Sequence, residues 1–276
     1  MIKKLLPLIP NHRVYAEAFG GAANLLLAKD PEVSEVEVYN DIDAGLTNFF
    51  RVMADKERFR RFYEQILLVP YSREEFYHSR DTWKDETDEI IKAVKWFVVA
   101  RQSFSGTFSR GWGYVVTTTS QGMAQTNGSW LSTLSMLPDI SARLQNVIIE
   151  HDDFRNILAK YDAEDTFFYL DPPYVLDTRI GGSVYENEMS LEDHQELVQM
   201  LLRLKAKIMV SGYDHEVYKP LEEAGWTKLI FSSKCYLTGR TKKTKHLNED
   251  KNKHKLNRIE CVWLNYNVEV QLENGV

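Results

Sequence analysis

The feature that most constrains the fold of this chain is a short apolar run that stops at two consecutive prolines. Residues 167–174 read Phe-Phe-Tyr-Leu-Asp-Pro-Pro-Tyr. An apolar run that ends at a turn signal predicts a strand buried in a parallel sheet. Pro172 and Pro173 have no N–H group, so the chain must leave the sheet rigidly after Asp171. Open α/β sheets bind ligands at this edge, where a carboxylate, the Pro172 carbonyl and the Tyr174 ring can hold an exocyclic amine and stack on its ring.

A second part of the chain, near the N-terminus, gives the same kind of signal. Residues 14–19 are predicted to form a strand that runs into two glycines at 20–21, and residues 22–29 are predicted to form a helix. Residues 36–39 alternate like a second strand, which ends near Asp41. This order of strand, glycine turn, helix and strand predicts an α/β fold with a Rossmann-like, doubly wound sheet.

The rest of the chain divides into sheet-forming pieces and a long helical stretch between them. Residues 45–100 carry apolar and aromatic residues at helical spacing, which predicts helices whose aromatic side chains lie in the core. Residues 103–127 are rich in Gly, Ser and Thr, which is typical of a loop or hairpin long enough to be functional. The sheet pattern then resumes as strands at 147–149, 167–170 and 207–210, a helix capped by Ser190, and a final antiparallel pair at 226–231 and 261–264.

The composition is that of an ordinary globular protein. The hydrophobic content of 43% and the charged content of 27% are usual, and 276 residues suffice for one or two domains. No apolar stretch reaches the length of a membrane span, and the first seven residues are too short and proline-broken for a secretory signal. Cys235 and Cys261 form neither a disulfide framework nor a metal-ligand spacing. We therefore expect a cytoplasmic monomer without a structural metal.

The charge of the chain is unevenly distributed. Between Lys234 and Arg258 there are nine Lys or Arg and two Asp or Glu, a local charge of +7 against −13 for the remainder and −6 overall. A basic stripe on an acidic body is a plausible contact surface for phosphates. A solvated loop is the alternative interpretation of this run.

Three further short motifs follow predicted strands. Residues 17–21, Glu-Ala-Phe-Gly-Gly, close the first strand, where glycines admit a ligand to the backbone and the next helix offers free N–H groups; a simple tight turn is the alternative. Asp41 lies about 20 residues beyond, where an acidic residue commonly holds a ribose hydroxyl, although it is equally suited to cap a helix. Asp153 and Phe154 end another strand and can hydrogen-bond and stack on an adenine ring, or else cap a helix beside a core ring.

In this order, the motifs resemble those of the D12 class of DNA adenine-N6 methyltransferases, in which a recognition insert precedes an Asp-Pro-Pro-Tyr strand. The resemblance runs from about Leu5 to Tyr266 and is especially close to phage-type and GATC-type adenine methylases. It implies S-adenosyl-L-methionine as the methyl donor, with no metal, bound by Glu17, Ala18, Phe19, Gly20, Gly21, Asp41, Asp153 and Phe154. It implies that the methyl group goes to a flipped adenine, with catalysis by Asp171, Pro172, Pro173 and Tyr174.

The resemblance also implies double-stranded DNA as the partner and a division of the chain into two parts. Residues 1–49 and 141–276 are expected to form the catalytic domain, with a final antiparallel strand pair, and residues 50–140 a mainly helical target-recognition insert. The expected DNA-binding residues are Arg101, Ser105, Arg110 and Trp112 in the insert, with Lys242, Lys243 and Lys245 on phosphates.

Two alternatives remain open at this point. Family members usually carry an apolar-aromatic stretch and a Gly-Gly-Lys motif before the segment matched by residues 3–10, and neither Lys3 nor Lys4 stands at the offset of that lysine. A weakened or catalytically silent DNA-binding protein is therefore one alternative. Related Asn/Asp-Pro-Pro-Tyr sites methylate RNA adenine or protein amide nitrogens, which is the other. The aspartate at 171, with the insert placed before it, favours DNA adenine.

Overall fold

A computed structural model describes residues 1–106, 108, 111–115, 118–120, 122–175, 178, 187–234 and 257–268. The helices are α1 (Ile2–Leu5), α2 (Asn24–Ala28), α3 (Ala44–Ala54), α4 (Lys56–Ile66), α5 (Arg73–Thr82), α6 (Glu89–Gln102), α7 (Gln125–Leu144), α8 (Phe154–Tyr161), α9 (Leu191–Leu201) and α10 (Lys219–Glu223). The strands are β1 (Val14–Glu17), β2 (Val36–Asn40), β3 (Thr119–Ser120), β4 (Met123–Ala124), β5 (Val147–Glu150), β6 (Thr166–Leu170), β7 (Lys207–Tyr213), β8 (Thr227–Lys234) and β9 (Asn257–Leu264). Within these residues, no helix is both long and apolar enough to cross a membrane.

The central sheet has seven strands in the order β5-β2-β1-β6-β7-β9-β8. The first five pair in parallel, and β9 pairs antiparallel with both of its neighbours. This arrangement confirms the predicted doubly wound sheet with a final antiparallel pair. The chain builds outward from β1 to β2 and β5 and then returns to the other side of β1 with β6. The crevice between β1 and β6 is the position where sheets of this type bind their ligands.

Both faces of the sheet are covered, which explains why its strands read as nearly continuous apolar runs. Every residue of β1 and β6 is buried. Tyr15 and Phe167 point to a core formed with α1 to α7, whereas Ala16 and Phe168 point to a second core formed with α8 to α10. The alternation along each strand therefore divides the interior into two layers of helices around one sheet.

The aromatic residues of the helical stretch lie in the first core, as predicted from their spacing. Phe49 stacks on Trp96 and Phe97, with ring centroids 5.3 Å and 5.2 Å apart. Phe50 stacks on Tyr39 of β2 at 4.3 Å. The same apolar cluster thus extends from the sheet through α3 and on to α6 and α7.

A buried group of charges joins α2, β2 and α7. The carboxylate of Glu37, only 5% exposed, lies 2.6 Å from Lys29 Nζ and 2.5 Å from Arg143 Nη1. Arg143 Nη2 donates to the same carboxylate at 2.7 Å and to the Leu26 carbonyl at 3.0 Å. Removing these ions from water is costly, and the close hydrogen-bonded geometry offsets that cost. The last turn of α7 is thereby tied to the helix that follows β1.

Some element boundaries differ from the sequence-based prediction. The strand predicted to stop at residue 210 continues through Ser211 and Gly212, because β9 pairs with both of them. The helix predicted over 22–29 is shorter and begins at Asn24, after Ala23 with a left-handed φ of 53°. A hairpin of β3 and β4 does occupy part of the 103–127 loop, and the capping box of Ser190 and Asp193 at the start of α9 is confirmed.

Candidate active site

A cavity of about 480 Å³ opens at the carboxyl ends of the parallel strands. This volume lies within the range of small-molecule sites in proteins. We call it the strand-end cavity. The predicted site residues in its wall are Glu17, Ala18, Phe19, Gly20, Gly21, Asp41, Asp153, Phe154, Asp171 and Pro173. Four motifs that are up to about 150 residues apart in the sequence therefore meet in one place. Pro172 and Tyr174 are the chain neighbours of the lining residue Pro173.

Glu17 is a fully buried carboxyl group at the end of β1. Its Oε1 accepts hydrogen bonds from the Tyr15 hydroxyl at 2.7 Å and from the Leu26 N–H of α2 at 2.8 Å. Burial raises the pKa of Glu17 to about 8; these two hydrogen bonds oppose the shift and the charge of Asp171 adds to it. Such a strongly shifted group, positioned in a cleft by the first turn of a helix, is typical of a functional site.

The glycine turn after β1 is tied to the end of β2. The Gly20 N–H donates to the Asn40 carbonyl at 2.7 Å, and the Gly21 N–H donates to Asp41 Oδ2 at 2.9 Å. Asp41 also accepts from the Asp43 N–H at 2.9 Å, and burial raises its pKa. It does not cap α3, since Asp43 does so. Asp41 therefore holds the turn in place while its carboxylate still borders the cavity.

A side chain at position 20 would collide with the sheet, and this gives a first prediction. A Cβ atom there would lie 2.5 Å from Tyr39 Cδ2, and that ring is held by its stack on Phe50. We expect Gly20→Ala to lower the free energy of unfolding by about 1–3 kcal/mol, as overpacking does, and to weaken ligand binding in the cavity. Thermal unfolding and calorimetry with the methyl donor measure the two effects.

The matched control is Gly122→Ala in the β3–β4 turn. Gly122 has a φ of +77° and open space around it, so alanine there strains the backbone without a collision and away from the cavity. Its donor affinity should equal that of the wild type. Unchanged donor affinity and stability in Gly20→Ala would show that the turn tolerates a side chain.

Asp153 and Phe154 match the interpretation in which an aspartate caps a helix beside a core ring, and both also line the cavity. Asp153 caps α8 by accepting from the Arg155 N–H at 2.9 Å, and it also pairs with the Arg155 guanidinium at 3.1 Å. The Phe154 ring is buried, with the Phe19 ring 5.2 Å away and the Arg155 guanidinium 4.4 Å from its centroid. Arg155, which the sequence did not single out, thus fixes this corner of the cavity and lines it.

Asp171 stands at the end of β6, with its surface open to the cavity. Surrounding protein atoms desolvate its carboxyl group and raise its pKa to about 6; a hydrogen bond from Tyr174 opposes this shift and the charge of Glu260 adds to it. Burial also raises the pKa of Tyr174, so its hydroxyl keeps its proton and donates. The Tyr174 ring packs edge-on against Tyr213, with centroids 4.4 Å apart. Glu260 lies opposite Tyr213 on β9 and is a second charged group that the sequence did not reveal.

The residues predicted to contact DNA are only partly described. Arg101 ends α6, is exposed, and donates to the Thr133 hydroxyl at 2.9 Å. Trp112 is half-buried between Tyr71 and Tyr114, and Ser105 lies in a short 3₁₀ turn over Phe104–Gly106. The remaining predicted residues, Arg110, Lys242, Lys243 and Lys245, lie outside the described residues.

Comparison with known proteins agrees with the geometry. The model of the family described as D12 class N6 adenine-specific DNA methyltransferase matches residues 1–260, which include every motif at the strand-end cavity. Comparison with curated proteins gives no match. The order of motifs, the doubly wound sheet with its antiparallel end and the family match are mutually consistent. The chain belongs to the D12 class of N6 adenine-specific DNA methyltransferases.

Proposed function

We propose that the chain transfers a methyl group from S-adenosyl-L-methionine to N6 of an adenine flipped out of duplex DNA, and that both ligands meet in the strand-end cavity. The observation that carries this proposal is the position of Asp171. Its carboxyl group opens on the same cavity as the glycine turn and the carboxyl groups of Glu17, Asp41 and Asp153. One space therefore connects the proposed donor-binding motifs with the proposed catalytic motif.

The residues of the cavity fit the donor in chemical terms. Carboxyl groups suit a ligand with a cationic sulfonium, an ammonium group and ribose hydroxyls, and the Phe154 ring in the wall suits apolar contact with a purine. Gly20 leaves space that a Cβ would fill, so a ligand can approach the backbone closely. Glu17 and the turn would hold the amino acid part, Asp41 the ribose, and Asp153 with Phe154 the adenine. When bound, the donor supplies an activated methyl group.

The catalytic part of the proposal rests on Asp171, Pro172 and Tyr174. The lone pair of adenine N6 is conjugated with the ring. In a duplex the enzyme cannot reach the N6 of a paired base, so the base must leave the stack. The Asp171 carboxylate and the Pro172 carbonyl each accept a hydrogen bond from one N–H of the N6 amine. These two hydrogen bonds localise the nitrogen lone pair. Tyr174 stacks on the flipped ring. The N–C bond forms as the C–S bond breaks, and the proton that N6 loses leaves by way of Asp171 to solvent.

The raised pKa of Asp171 gives a prediction for pH dependence. The carboxylate is the form that accepts a hydrogen bond from N6, and with a pKa of about 6 it is lost as the pH falls through that value. The rate constant for methylation at subsaturating DNA, which reports the free enzyme, should therefore decline as the pH falls below about 6. Glu260→Gln removes a charge that raises this pKa, so its decline should lie at lower pH.

Single-turnover rates, measured under these conditions between pH 5 and pH 8, test whether the rate of Glu260→Gln declines at lower pH than that of the wild type. Glu223→Gln, an exposed substitution on α10, is the matched control and should follow the wild-type profile. A profile in which Glu260→Gln and Glu223→Gln coincide would remove Glu260 from the electrostatics of the site.

The activity itself is tested with a donor labelled in its methyl group. Duplex DNA, RNA and a protein extract are offered separately, and label is expected in DNA as N6-methyladenine. Sequencing of modified adenines in mixed genomic DNA then gives the recognition sequence, with GATC as the first candidate. Label only in RNA or protein, or no donor binding at millimolar concentration, would contradict the proposal.

We further propose that residues 50–140 form the target-recognition part of the enzyme and that the rest of the chain forms the catalytic part. The support is their position in the chain, since this stretch lies between β2 and β5 and contains α4, α5, α6, the β3–β4 hairpin and most of α7. The basic segment between β8 and β9, with Lys242, Lys243 and Lys245, would add attraction to phosphates that does not depend on sequence.

A further inference from the structure

A second cavity, of about 320 Å³, lies in the proposed recognition part, away from the strand-end cavity. It is lined by Tyr71, by the end of α6, by residues 103–104 and 113–115, and by the start of α7. Among the residues that the structure describes, its lining includes Arg101 and no acidic side chain. This is the opposite of the strand-end cavity, whose wall is rich in carboxylates. The two cavities therefore suit ligands of different charge.

The walls of the second cavity are aromatic and held in place. The Trp130 indole N–H donates to the Val69 carbonyl at 3.3 Å, and the Tyr71 hydroxyl donates to the Gly113 carbonyl at 2.5 Å. Tyr114 and Phe104 are the more exposed of these rings, with 57% and 53% of their surface accessible. Fixed rings that border an open space provide π-faces on which a planar ligand can stack.

The side chains of Trp112 and Arg73 contact the Tyr114 ring and hold it in place. It stacks on Trp112 with ring centroids 5.6 Å apart and an angle of 16° between the ring planes. The Arg73 guanidinium lies 5.0 Å from the Trp112 ring centroid and 5.5 Å from that of Tyr114. These cation–π contacts stabilise the orientation of the two rings and place positive charge beside them. An exposed ring is thus presented in a fixed orientation.

The polar part of the cavity has unused hydrogen-bonding capacity. Ser103 is only 6% exposed and lines the cavity, yet its Oγ has no hydrogen-bond partner within the described part of the chain. A buried hydroxyl without a partner is unfavourable, so a ligand atom that pairs with it is favoured. The Arg101 guanidinium at the same wall donates one N–H to Thr133, and its planar fork has further donors.

We infer that the second cavity binds one unstacked nucleobase of the DNA substrate, other than the target adenine, between its aromatic walls. Arg101 and Ser103 donate hydrogen bonds to carbonyl or ring-nitrogen acceptors on the edge of that base, as guanidinium groups do with guanine. The described lining residues include no carboxylate, and Arg101 in the lining and Arg73 beside Tyr114 suit a ligand attached to phosphates. The inference rests on the proposed action on duplex DNA.

The test combines abasic DNA with variants of the full chain. Duplexes that contain GATC, or the methylated sequence once it is identified, are prepared with one base removed at a time, at every position except the target adenine. Their dissociation constants are measured at one salt concentration for the wild type, for Tyr114→Ala and for Tyr63→Ala, a half-exposed tyrosine on α4 outside the cavity. Thermal unfolding of each variant shows whether it is folded.

Removal of the base at one position of the duplex should weaken binding more than removal at the other positions. For the wild type, removal of the base that the cavity binds should weaken binding by about 5- to 150-fold, the range for loss of one stacked base. Tyr114→Ala should weaken binding to intact DNA by a similar factor and lose further sensitivity to that one abasic position, whereas Tyr63→Ala should behave as the wild type. If Tyr114→Ala weakens binding equally at every position, or not at all, the inference is wrong.

Ser103→Ala provides a readout that a merely structural residue would not give. Removing the unpartnered hydroxyl should leave the melting temperature equal to or higher than that of the wild type, while binding to intact DNA becomes weaker. A lower melting temperature with unchanged DNA affinity would contradict a role in base binding. Failure of the proposed function is seen separately, as absence of methyl transfer to any DNA by the wild type, whereas these measurements need only DNA binding.

Discussion

Methyl transfer to DNA is expected to fall by about 10²- to 10³-fold or more when Asp171 is replaced by alanine, because loss of one preorganised electrostatic group in an active site has effects of this size. The variant removes the acceptor that faces the proposed N6 position while the glycine turn, Asp41 and Asp153 remain. Donor affinity should therefore stay within a few-fold of the wild type. Transfer of labelled methyl groups and calorimetry with the donor measure the two quantities.

Two further variants sharpen this result. Asp171→Asn keeps one oxygen acceptor without the charge, so its rate should lie between those of the wild type and Asp171→Ala. Asp165→Ala is a matched aspartate control, because Asp165 pairs with Arg13 at the other end of β6 and is exposed. Wild-type activity in Asp171→Ala would refute its catalytic role. Equal loss of donor binding and of activity would place Asp171 among the donor ligands.

The second large effect is expected for stability, at the buried charges around Glu37. Glu37→Ala leaves Lys29 and Arg143 buried without their common partner, and breaking a buried ion pair from one side costs about 3–5 kcal/mol. For a chain of this size, each kcal/mol corresponds to roughly 2–4 °C, so the melting temperature should fall by roughly 6–20 °C. Urea unfolding and thermal unfolding report the change.

The controls for Glu37→Ala compare the loss of stability from a buried ion pair with that from an exposed one. Glu57→Ala removes an ion pair with Arg60 that is mostly exposed, and its melting temperature should hardly change. Replacing all three members of the buried group, as Lys29→Met, Glu37→Leu and Arg143→Met, should recover most of the lost stability, since apolar residues can fill such sites. A loss in Glu37→Ala no larger than in Glu57→Ala would show that the buried charges are well solvated.

Much of the sheet was predictable because its strands end abruptly. The apolar run before Asp171 and the glycines after Glu17 marked both sides of the central crevice, and the structure places these ends side by side. The alternation in β2, however, predicted one polar face, whereas Glu37 is buried. Its cationic partner, Arg143, is 106 residues away, and a single sequence gives no sign of such a pair.

The helix α7 was not predicted as a separate element, for a different reason. Its residues include Pro138, Gly128 and several serines and threonines, so local preferences argue against a 20-residue helix. Tertiary packing decides the matter, because Trp130, Leu134 and Leu137 are buried in the core. Packing energy from distant residues outweighs propensity here, and that contribution cannot be read from the segment alone.

For the candidate site, the strand ends were predictable from the sequence, but the groups that surround them were not. Asp171 and the glycine turn were recognisable from their local patterns, and both lie at the cavity. Arg155 and Glu260 were not, because an arginine inside a helix and a glutamate on a late strand have no distinctive context. Their influence on Asp153 and Asp171 depends on where the completed sheet brings them.

The apolar core that runs from the sheet into the inserted helices has a consequence for how enzymes of this kind change their target sequence. Phe50 meets Tyr39 of the sheet on one side, and Phe49 meets Phe97 and Trp96 of α6 on the other. Exchange of the whole helical stretch between relatives would disrupt these ring contacts. Matched mutations would then be needed both in the sheet and in the exchanged helices. Substitutions at exposed positions such as Tyr114 leave the rings intact. New specificities should therefore arise by point changes on the surface more readily than by transplanting the insert.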